Sequence, residues 1–339
     1  MTEPLHDPIM LDNLPMIAAD RGKCSLILAL QAALRYLGHV HDYDYLMGLS
    51  GAGFIFYADP RKPNVAEWAD MMRDHWLDAI SDATGRTISA LAADGDHFER
   101  DPGDHFRARF AESIRGNLES GLPSLAYGCF ETAHWDIISG VSEGRLLLRS
   151  LHNQTSSTGL IDRIQPYEQN TTWPSKIILI GAEKPLSDSP SLIRRSIEIG
   201  LEVGGIACST DDFQVTGPSA FKAWADILLN GRNCAPDEAH QHLRAVLLDA
   251  RISLERFLRW VQSELPYEIG KEIKLARAQF AKSYEVLLSM SITKSDLGQD
   301  DRRSKIAHDI ISLKEIEAEA FGHLKAAYEK SDGLKQVKR

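Results

Sequence analysis

The sequence predicts an α+β domain followed by an all-helical domain, and three observations lead to this fold class. Apolar residues recur at helical spacing over the first 120 residues or so. Between residues 123 and 181 they come instead in short, strand-length runs rich in Ile, Leu and Val. Beyond residue 184 almost every long stretch has helical spacing again. We therefore divide the chain into residues 1–184 and 185–339.

The helical part of the first domain has three segments. "CSLILALQAALRYLG" (24–38) has an apolar stripe on one face, as a helix that covers a core does. After a short aromatic stretch, "GFIFYA", a helix is predicted from Asn64, whose side chain can cap it, to about residue 84. A third helix is predicted from about residue 104 until Gly121 ends it.

Four strand-length runs follow, and we expect them to form an antiparallel meander. They are "PSLAYGCF", "HWDIISGV", "RLLLRSL" and "SKIILIG". The stretch "VSEGRL" between the second and third runs predicts a tight turn, with Gly144 in the left-handed conformation.

The second domain is predicted to be a helical bundle. Ser189 and Pro190 have the residue types of an N-cap and first helical position, and Gly217 with Pro218 opens another helix in a similar way. Three long amphipathic helices are then expected at about 236–264, 266–291 and 300–330.

Composition excludes several classes of function. The chain has 339 residues and a formal net charge of -10, which argues against a nucleic-acid partner or an anionic membrane surface. No stretch approaches the roughly 20 apolar residues that span a bilayer. The N-terminal residues carry acids and prolines, so no signal peptide is predicted and we expect a cytoplasmic protein.

The cysteine pattern argues against a disulfide framework or a structural zinc site. The four cysteines, Cys24, Cys129, Cys208 and Cys234, lie far apart and form no C-x-x-C motif. "HVHDYDY" (39–45) lacks the further histidine of common metal motifs, and "GLSGAGF" (48–54) lacks the lysine of a phosphate-binding loop. We expect neither a cofactor nor a metal ion.

Cys24 is a candidate nucleophile because it stands at the start of the first predicted helix. The helix dipole and the unpaired backbone N–H groups there favour a thiolate, and Arg21 and Lys23 add positive charge nearby. The alternative interpretation is a small buried residue that fills the core at a helix start.

A thiol nucleophile needs a base, and the base needs a residue that orients it. His134, at the mouth of the strand "WDIISGV", is the best-placed histidine. Asn153, beyond the end of the next strand, is the candidate that orients the imidazole, with Ser150 and Asp136 as substitutes. The alternative for His134 is a hydrogen-bonded polar residue at a strand end.

Several of these stretches carry a resemblance to a known family. The order "CSLILALQAALRYLG", "DYDYLMGLSGAGF", "ESGLPSLAYG" and "HWDIISGV" resembles the family named for the butirosin biosynthesis protein H N-terminal domain. "TGPSAFKAWADILL" resembles the helical region that accompanies this domain in bacterial proteins.

The resemblance implies a papain-like, cysteine-peptidase-like fold. It also implies transfer of an aminoacyl group from an acyl carrier protein thioester to an aminoglycoside amine. Cys24 would then accept the acyl group and His134 would carry the proton. Papain-like enzymes usually have a glutamine shortly before the cysteine for the oxyanion site, and "MIAADRGKC" contains none. The backbone amide of Cys24 is then expected to supply part of that site.

Two hypotheses remain open at this stage. The first is an acyltransferase, or an amide or thioester hydrolase, which acts through a thioester on Cys24. Its partner would be an acyl carrier protein or a small-molecule acyl acceptor. The second is a catalytically inactive papain-like binding or scaffold protein, whose helical domain forms a homodimer.

Overall fold

A computed structural model describes residues 8–18, 20–58, 74–92, 103–130, 134–150, 168–169, 173–205, 215–230, 236–291 and 300–337. It confirms the α+β class with a helical C-terminal region. The chain forms two compact units. Unit 1 comprises Met1–Leu46 and Glu67–Ser187, and unit 2 comprises Met47–Ala66 and Asp188–Arg339.

Among the described residues, helices and strands are mixed up to residue 216, and the later elements are all helices. The strands are β1 (Ile9–Met10), β2 (Tyr57–Ala58), β3 (Arg86–Ala92), β4 (Ser124–Tyr127), β5 (Trp135–Ser142), β6 (Arg145–Arg149), β7 (Glu168–Gln169), β8 (Lys176–Glu183) and β9 (Val215–Thr216). The helices are α1 (Ser25–Tyr36), α2 (Tyr43–Leu49), α3 (Asp74–Thr84), α4 (Gly103–Glu119), α5 (Ser189–Gly205), α6 (Pro218–Asn230), α7 (Pro236–Glu264), α8 (Tyr267–Ser289) and α9 (Asp300–Val337).

Unit 1 is built on an antiparallel sheet with the strand order β3-β8-β4-β5-β6-β7, and β1 pairs with the end of β5. Glu143 and Gly144 both have positive φ, 51° and 76°, in the two-residue turn between β5 and β6. Positive φ at both positions is typical of a type I′ hairpin turn. The prediction of a left-handed glycine at this turn is confirmed.

The predicted meander is correct for β4, β5 and β6 and wrong for β8. Strand β8 returns to lie between β3 and β4, antiparallel to both. All four residues of β4 are buried, so this strand has a neighbour on each side, and β8 provides the second one. Strand β3 was missed because only Arg86 and Ile88 of its seven residues are buried, which leaves little alternation to detect.

Helix α1 covers one region of this sheet, where it packs against β4 and β5. Its predicted apolar stripe is buried, with Ile27 and Leu34 fully inaccessible. In β5, the neighbouring Ile137 and Ile138 are equally inaccessible, and their side chains lie on opposite faces of the sheet. Burial of each such side chain contributes about 1.5–3 kcal/mol, which fixes the start of α1 relative to β5.

Unit 2 is a helical bundle with a two-stranded ribbon of β2 and β9. Helix α9 packs on α8 and α6, and α7 packs on α8. The three long helices predicted from periodicity are confirmed, although α8 is slightly shorter and α9 longer than expected. Asp188 rather than Ser189 caps α5, because its Oδ1 accepts a hydrogen bond from Ser191 N at 2.8 Å.

The two units divide between Ser187 and Asp188, whereas the sequence analysis placed the boundary at residue 184. The larger difference is Met47–Ala66, which the sequence analysis gave to the first domain and which belongs to unit 2. Its aromatic side chains explain this, since Phe56 lies in one buried cluster with Phe221 and Trp224. Of the aromatic stretch "GFIFYA", only the last two residues pair, with β9.

The glycines of "GLSGAGF" lie against aromatic and aliphatic side chains of unit 2. A Cβ at Gly48 would overlap the ring of Phe257, and a Cβ at Gly51 would overlap Ile199. The motif ends at Phe54, whose ring lies in turn over Gly200 of α5. These glycines therefore allow close packing of the bundle.

Candidate functional site

Cys24 is the N-cap residue of α1. Its backbone is extended, with φ −83° and ψ 100°, and its carbonyl accepts the first helical hydrogen bond from Leu28 N at 3.1 Å. The side chain makes no capping hydrogen bond and is only 3% exposed. The predicted position at the helix start is confirmed, one residue before the first turn, where the helix dipole favours negative charge on the sulfur.

Tyr43, the first residue of α2, lies directly beside this cysteine. The backbone N–H of Cys24 donates a hydrogen bond of 3.0 Å to Tyr43 Oη. The tyrosine is 6% exposed, and its ring packs so closely on Gly22 that a Cβ there would overlap it. The expectation that the Cys24 amide itself faces a substrate oxygen is therefore corrected, because this amide already binds the tyrosine hydroxyl.

His134 immediately precedes β5, and two side chains hold its ring. Its Nε2 lies 3.1 Å from Ser150 Oγ and 3.1 Å from Asp136 Oδ1. The ring also stacks on Phe130, with centroids 6.0 Å apart. Asp136 is fully buried, whereas the His134 side chain is 14% exposed. These contacts fix the ring plane and leave part of the imidazole in contact with solvent.

His134 is contacted by Asp136 and Ser150, the two residues that the sequence analysis named as alternatives to Asn153 for the orienting role. Asn153 lies outside the described residues. Asp136 was harder to rank from sequence because it lies inside a strand, two residues after the histidine. Alternate residues of a strand share a face, which is the signal that links His134 with Asp136.

One hydrogen bond joins the helix start to the strand start. Trp135 N donates to Ser25 Oγ at 3.1 Å, across 110 residues of chain. Cys24 and His134 each directly precede one of these two residues. Ser25 and Trp135 share this hydrogen bond, and each is joined to the preceding residue by a single peptide unit. The Cα atoms of Cys24 and His134 therefore lie within roughly 12 Å of one another. The thiol and the imidazole thus belong to the same end of the sheet.

Cys129 lies close to the same carboxylate but has a different chemical character. It is fully buried just beyond β4. Burial, followed by the negative charge of Asp136, raises the pKa of the Cys129 thiol well above its usual range. Cys129 is therefore a neutral thiol near pH 7, and Cys24 is the better nucleophile candidate.

The histidines of "HVHDYDY" form an aromatic stack at the edge of unit 1. His41 lies between His39 and Tyr45, at centroid distances of 6.4 Å and 5.9 Å, and Arg86 Nε donates to His39 Nε2 at 3.1 Å. Burial and then the neighbouring His39 lower the pKa of His41. In the part of the chain that the structure describes, no group of three or more His, Cys, Asp or Glu side chains is arranged to hold a metal ion.

The described helices also include none with the length and apolar character needed to cross a bilayer. No family model matches the sequence, and no curated protein matches it. The resemblance to the butirosin H family therefore stays a prediction.

Proposed function

We propose that the protein is a thiol-dependent acyltransferase, or an amide or thioester hydrolase, which acts through an acyl-enzyme on Cys24. The observation that supports this most is the contact between the starts of α1 and β5, made by Trp135 N and Ser25 Oγ. This contact joins the residue after Cys24, the N-cap of α1, to the residue after His134, whose Nε2 contacts Asp136 and Ser150. A nucleophile, a base and an orienting carboxylate are the three parts that this chemistry requires.

The reaction follows from those roles. His134 takes the thiol proton at Nδ1, the ring nitrogen opposite the Asp136 contact, and the sulfur attacks the acyl carbon. The C–S bond forms, the bond to the donor thiolate breaks, and the imidazolium returns its proton to that thiolate. An acceptor amine or water then attacks the acyl-enzyme. The proton of the attacking amine or water passes through His134 to the Cys24 sulfur as the C–S bond breaks.

Asp136 replaces Asn153 as the orienting group in this proposal. A buried carboxylate at 3.1 Å from Nε2 fixes the ring and stabilises the imidazolium that forms during the reaction. In the tautomer that leaves Nδ1 free to accept the thiol proton, Nε2 carries the hydrogen, and Ser150 Oγ accepts a hydrogen bond from it. Asp136 lies in β5 and Ser150 directly follows β6, so both belong to the β5–β6 hairpin, whose register shifts by one residue between Ile138 and Gly140.

The papain-like fold and the substrate class rest on the resemblance. A cysteine at the start of a helix that packs on an antiparallel sheet, with a histidine at a strand start, is consistent with a papain-like unit. The butirosin H resemblance then favours a carrier-protein thioester as donor and an amine as acceptor.

A second candidate function is a catalytically inactive binding or scaffold protein. The observation that favours it is the burial of Cys24, which is 3% exposed, together with the hydrogen bond from its amide to Tyr43. In that case the cysteine fills the core at the helix start and His134 is a hydrogen-bonded residue at a strand end.

Site-resolved alkylation with iodoacetamide distinguishes the two functions. A thiol whose pKa is lowered by a histidine by about two units gains roughly 100-fold in thiolate at acid pH and loses roughly tenfold in intrinsic nucleophilicity. We therefore expect Cys24 to react about tenfold faster in the wild type than in His134→Ala near pH 5.5. The order should reverse near pH 9, where both thiols are largely ionised and the wild-type thiolate is the weaker nucleophile by up to about tenfold. Mass spectrometry of the Cys24 peptide gives the rates, with buried Cys129 as a slow internal reference.

His308→Ala is the matched control, because His308 is an exposed histidine on α9. It should leave the Cys24 rate unchanged. Equal Cys24 rates in the wild type and His134→Ala at every pH would contradict the acyl-enzyme proposal and favour the scaffold.

A further inference from the structure

We infer that the hydroxyl of Tyr43 is the oxyanion donor of the proposed reaction, in the place that a glutamine amide has in papain-like enzymes. This inference rests on the function proposed for Cys24. It concerns the carbonyl oxygen of the acyl group, which gains negative charge when the sulfur attacks. A group that donates a hydrogen bond to this oxygen commonly contributes more to catalysis than any other single contact.

The position of the hydroxyl is the first argument. An oxyanion formed at Cys24 lies beside the sulfur, and in papain-like enzymes it is within reach of the nucleophile's own backbone amide. Tyr43 Oη is 3.0 Å from Cys24 N and therefore lies in that region. The residues before the cysteine, "MIAADRGKC", contain no glutamine that can provide a side-chain amide there.

The rigidity of the hydroxyl is the second argument. The ring is buried, with 6% exposure, and it fills the space above Gly22 where any other residue would place a Cβ. Tyr43 is also the first residue of α2, whose opening turn is closed by the hydrogen bond from Leu46 N to Asp42 O. A donor that is held before the substrate arrives stabilises the transition state without a cost of reorganisation.

The direction of the hydrogen bonds is the third argument. A tyrosine hydroxyl accepts with its oxygen and donates with its hydrogen. The amide of Cys24 donates to the oxygen, which polarises the O–H bond and makes it a stronger donor. The hydroxyl can then donate to the substrate oxygen, so that the charge of the oxyanion is shared by the amide through the phenol.

Tyr43→Phe tests this role when two reactions of Cys24 are compared. In acetylation by p-nitrophenyl acetate, the thiolate forms a C–S bond, and the carbonyl π electrons move onto oxygen. These electrons then re-form the C=O double bond, and p-nitrophenolate leaves with the electrons of the C–O bond that breaks. Alkylation by iodoacetamide displaces iodide from a CH₂ group, so no oxyanion forms at the attacked carbon. Tyr43 neither gains nor loses a proton in either reaction.

We expect Tyr43→Phe to slow the acetylation of Cys24 by about 10²- to 10³-fold, as loss of an oxyanion donor does. Alkylation should stay within about twofold, because the thiol and the imidazole are unchanged. Gly22→Ala should have the same selective effect, since its Cβ would displace the ring. The control is Tyr328→Phe, which removes a hydroxyl that contacts Arg194 and Glu198 in unit 2 and should change neither reaction.

Equal losses in both reactions would overturn the inference and assign Tyr43 a structural role. Acetylation that is unchanged or faster in Tyr43→Phe would also overturn it. That result would show that the Cys24 amide is the donor and that the hydroxyl only occupies its place. Failure of the proposed function gives a different result, because wild-type alkylation is then independent of His134.

Discussion

The buried polar clusters of the two units differ in how their atoms are paired. In unit 2, Arg251 is fully buried and donates from Nε and Nη2 to the two carboxylate oxygens of Glu317, each at 2.6 Å. Its Nη1 donates to Gly53 O at 2.7 Å, and Ser283 Oγ donates to Glu317 Oε1 at 2.9 Å. Each donor nitrogen of the guanidinium and both carboxylate oxygens thus have a protein partner.

The cluster of unit 1 has a different organisation. Two of its contacts converge on a single atom, His134 Nε2, and its titratable groups are a thiol, an imidazole and a carboxylate. Cys24 and Tyr43 lie at the starts of α1 and α2, where backbone N–H groups are not paired within the helix. His134 directly precedes β5, and Ser150 directly follows β6. The Arg251 network joins the Gly53 loop to three helices, α7, α8 and α9, whereas the His134 cluster contains the groups that the proposed proton transfer uses.

Burial alone therefore does not distinguish a carboxylate that stabilises the fold from one that could take part in a reaction. Both Glu317 and Asp136 are buried carboxylates, and both contact a basic side chain. The difference lies in the basic partner, because a guanidinium only donates hydrogen bonds, whereas a neutral imidazole has one nitrogen that donates and one that accepts. Only the second kind of pair has the groups that the proposed proton transfer uses.

The largest expected effect comes from breaking the network of unit 2. Glu317→Ala leaves the Arg251 charge buried without its carboxylate, which should lower the free energy of unfolding of unit 2 by about 3–5 kcal/mol. Urea denaturation followed by circular dichroism measures this loss. Glu329→Ala is the control on the same helix. Glu329 pairs with Lys325 only at 4.0 Å between exposed side chains, so the expected loss is below about 0.5 kcal/mol.

A double variant distinguishes the contribution of packing to the stability of unit 2 from that of the buried ion pair. Arg251→Met with Glu317→Met replaces the pair by apolar side chains of similar length, and it should recover most of the stability lost in Glu317→Ala. A double variant as unstable as the single one would show that the network does more than satisfy its own charges.

The next effect concerns the two partners of His134. Asp136→Asn removes the buried carboxylate charge 3.1 Å from His134 Nε2, which stabilises the imidazolium in the proposed reaction, so acetylation of Cys24 should fall about tenfold or more. Ser150→Ala removes a neutral contact worth about 1 kcal/mol, so the loss should be about fivefold. The burst of p-nitrophenolate measures both rates. If the serine variant lost more than the asparagine variant, Ser150 rather than Asp136 would be the principal orienting residue.

The smallest effect is expected at the surface network of Glu272. The hydrogen bond from Lys330, followed by that from His323, lowers the pKa of this carboxyl. Its contribution to stability is therefore present above the ordinary pKa of 4.5 and lost as the pH falls below it. Glu272→Gln should cost at most about 1 kcal/mol near pH 7 and almost nothing near pH 3.

Urea midpoints of the wild type and Glu272→Gln at the two pH values measure that difference. Glu285→Gln, at an exposed glutamate of the same helix, is the control and should show no comparable change with pH. A Glu272→Gln effect as large at pH 3 as at pH 7 would show that the carboxylate charge is not its source.

Sequence patterns predicted those features of the fold that depend on residues close together in the chain. The stripe of α1, the left-handed Gly144 and the bounds of α7 could be predicted because each depends on residues close together in the sequence. The same holds for Cys24 at a helix start and His134 at a strand start, since both follow from where an element begins.

Long-range pairings could not be predicted in this way. Strand β8 lies between β3 and β4 because β4 is buried and needs a second neighbour, which no local pattern indicates. The carbonyl of Gly53 accepts a hydrogen bond from Arg251, 198 residues later in the chain, so no local pattern indicates that Gly53 belongs to unit 2. Tyr43 was noted only within two longer stretches, "HVHDYDY" and "DYDYLMGLSGAGF", and its contact with Cys24 depends on how the start of α2 lies relative to the start of α1.

The glycines that lie under aromatic rings in unit 2 have a consequence for how this sequence can diverge. The rings of Phe257 and Phe54 occupy the volume that a methyl group at Gly48 or Gly200 would need. A mutation to alanine at either glycine is tolerated only together with a smaller side chain at its aromatic partner. Across homologues, positions 48 and 257 should therefore covary, and so should positions 54 and 200.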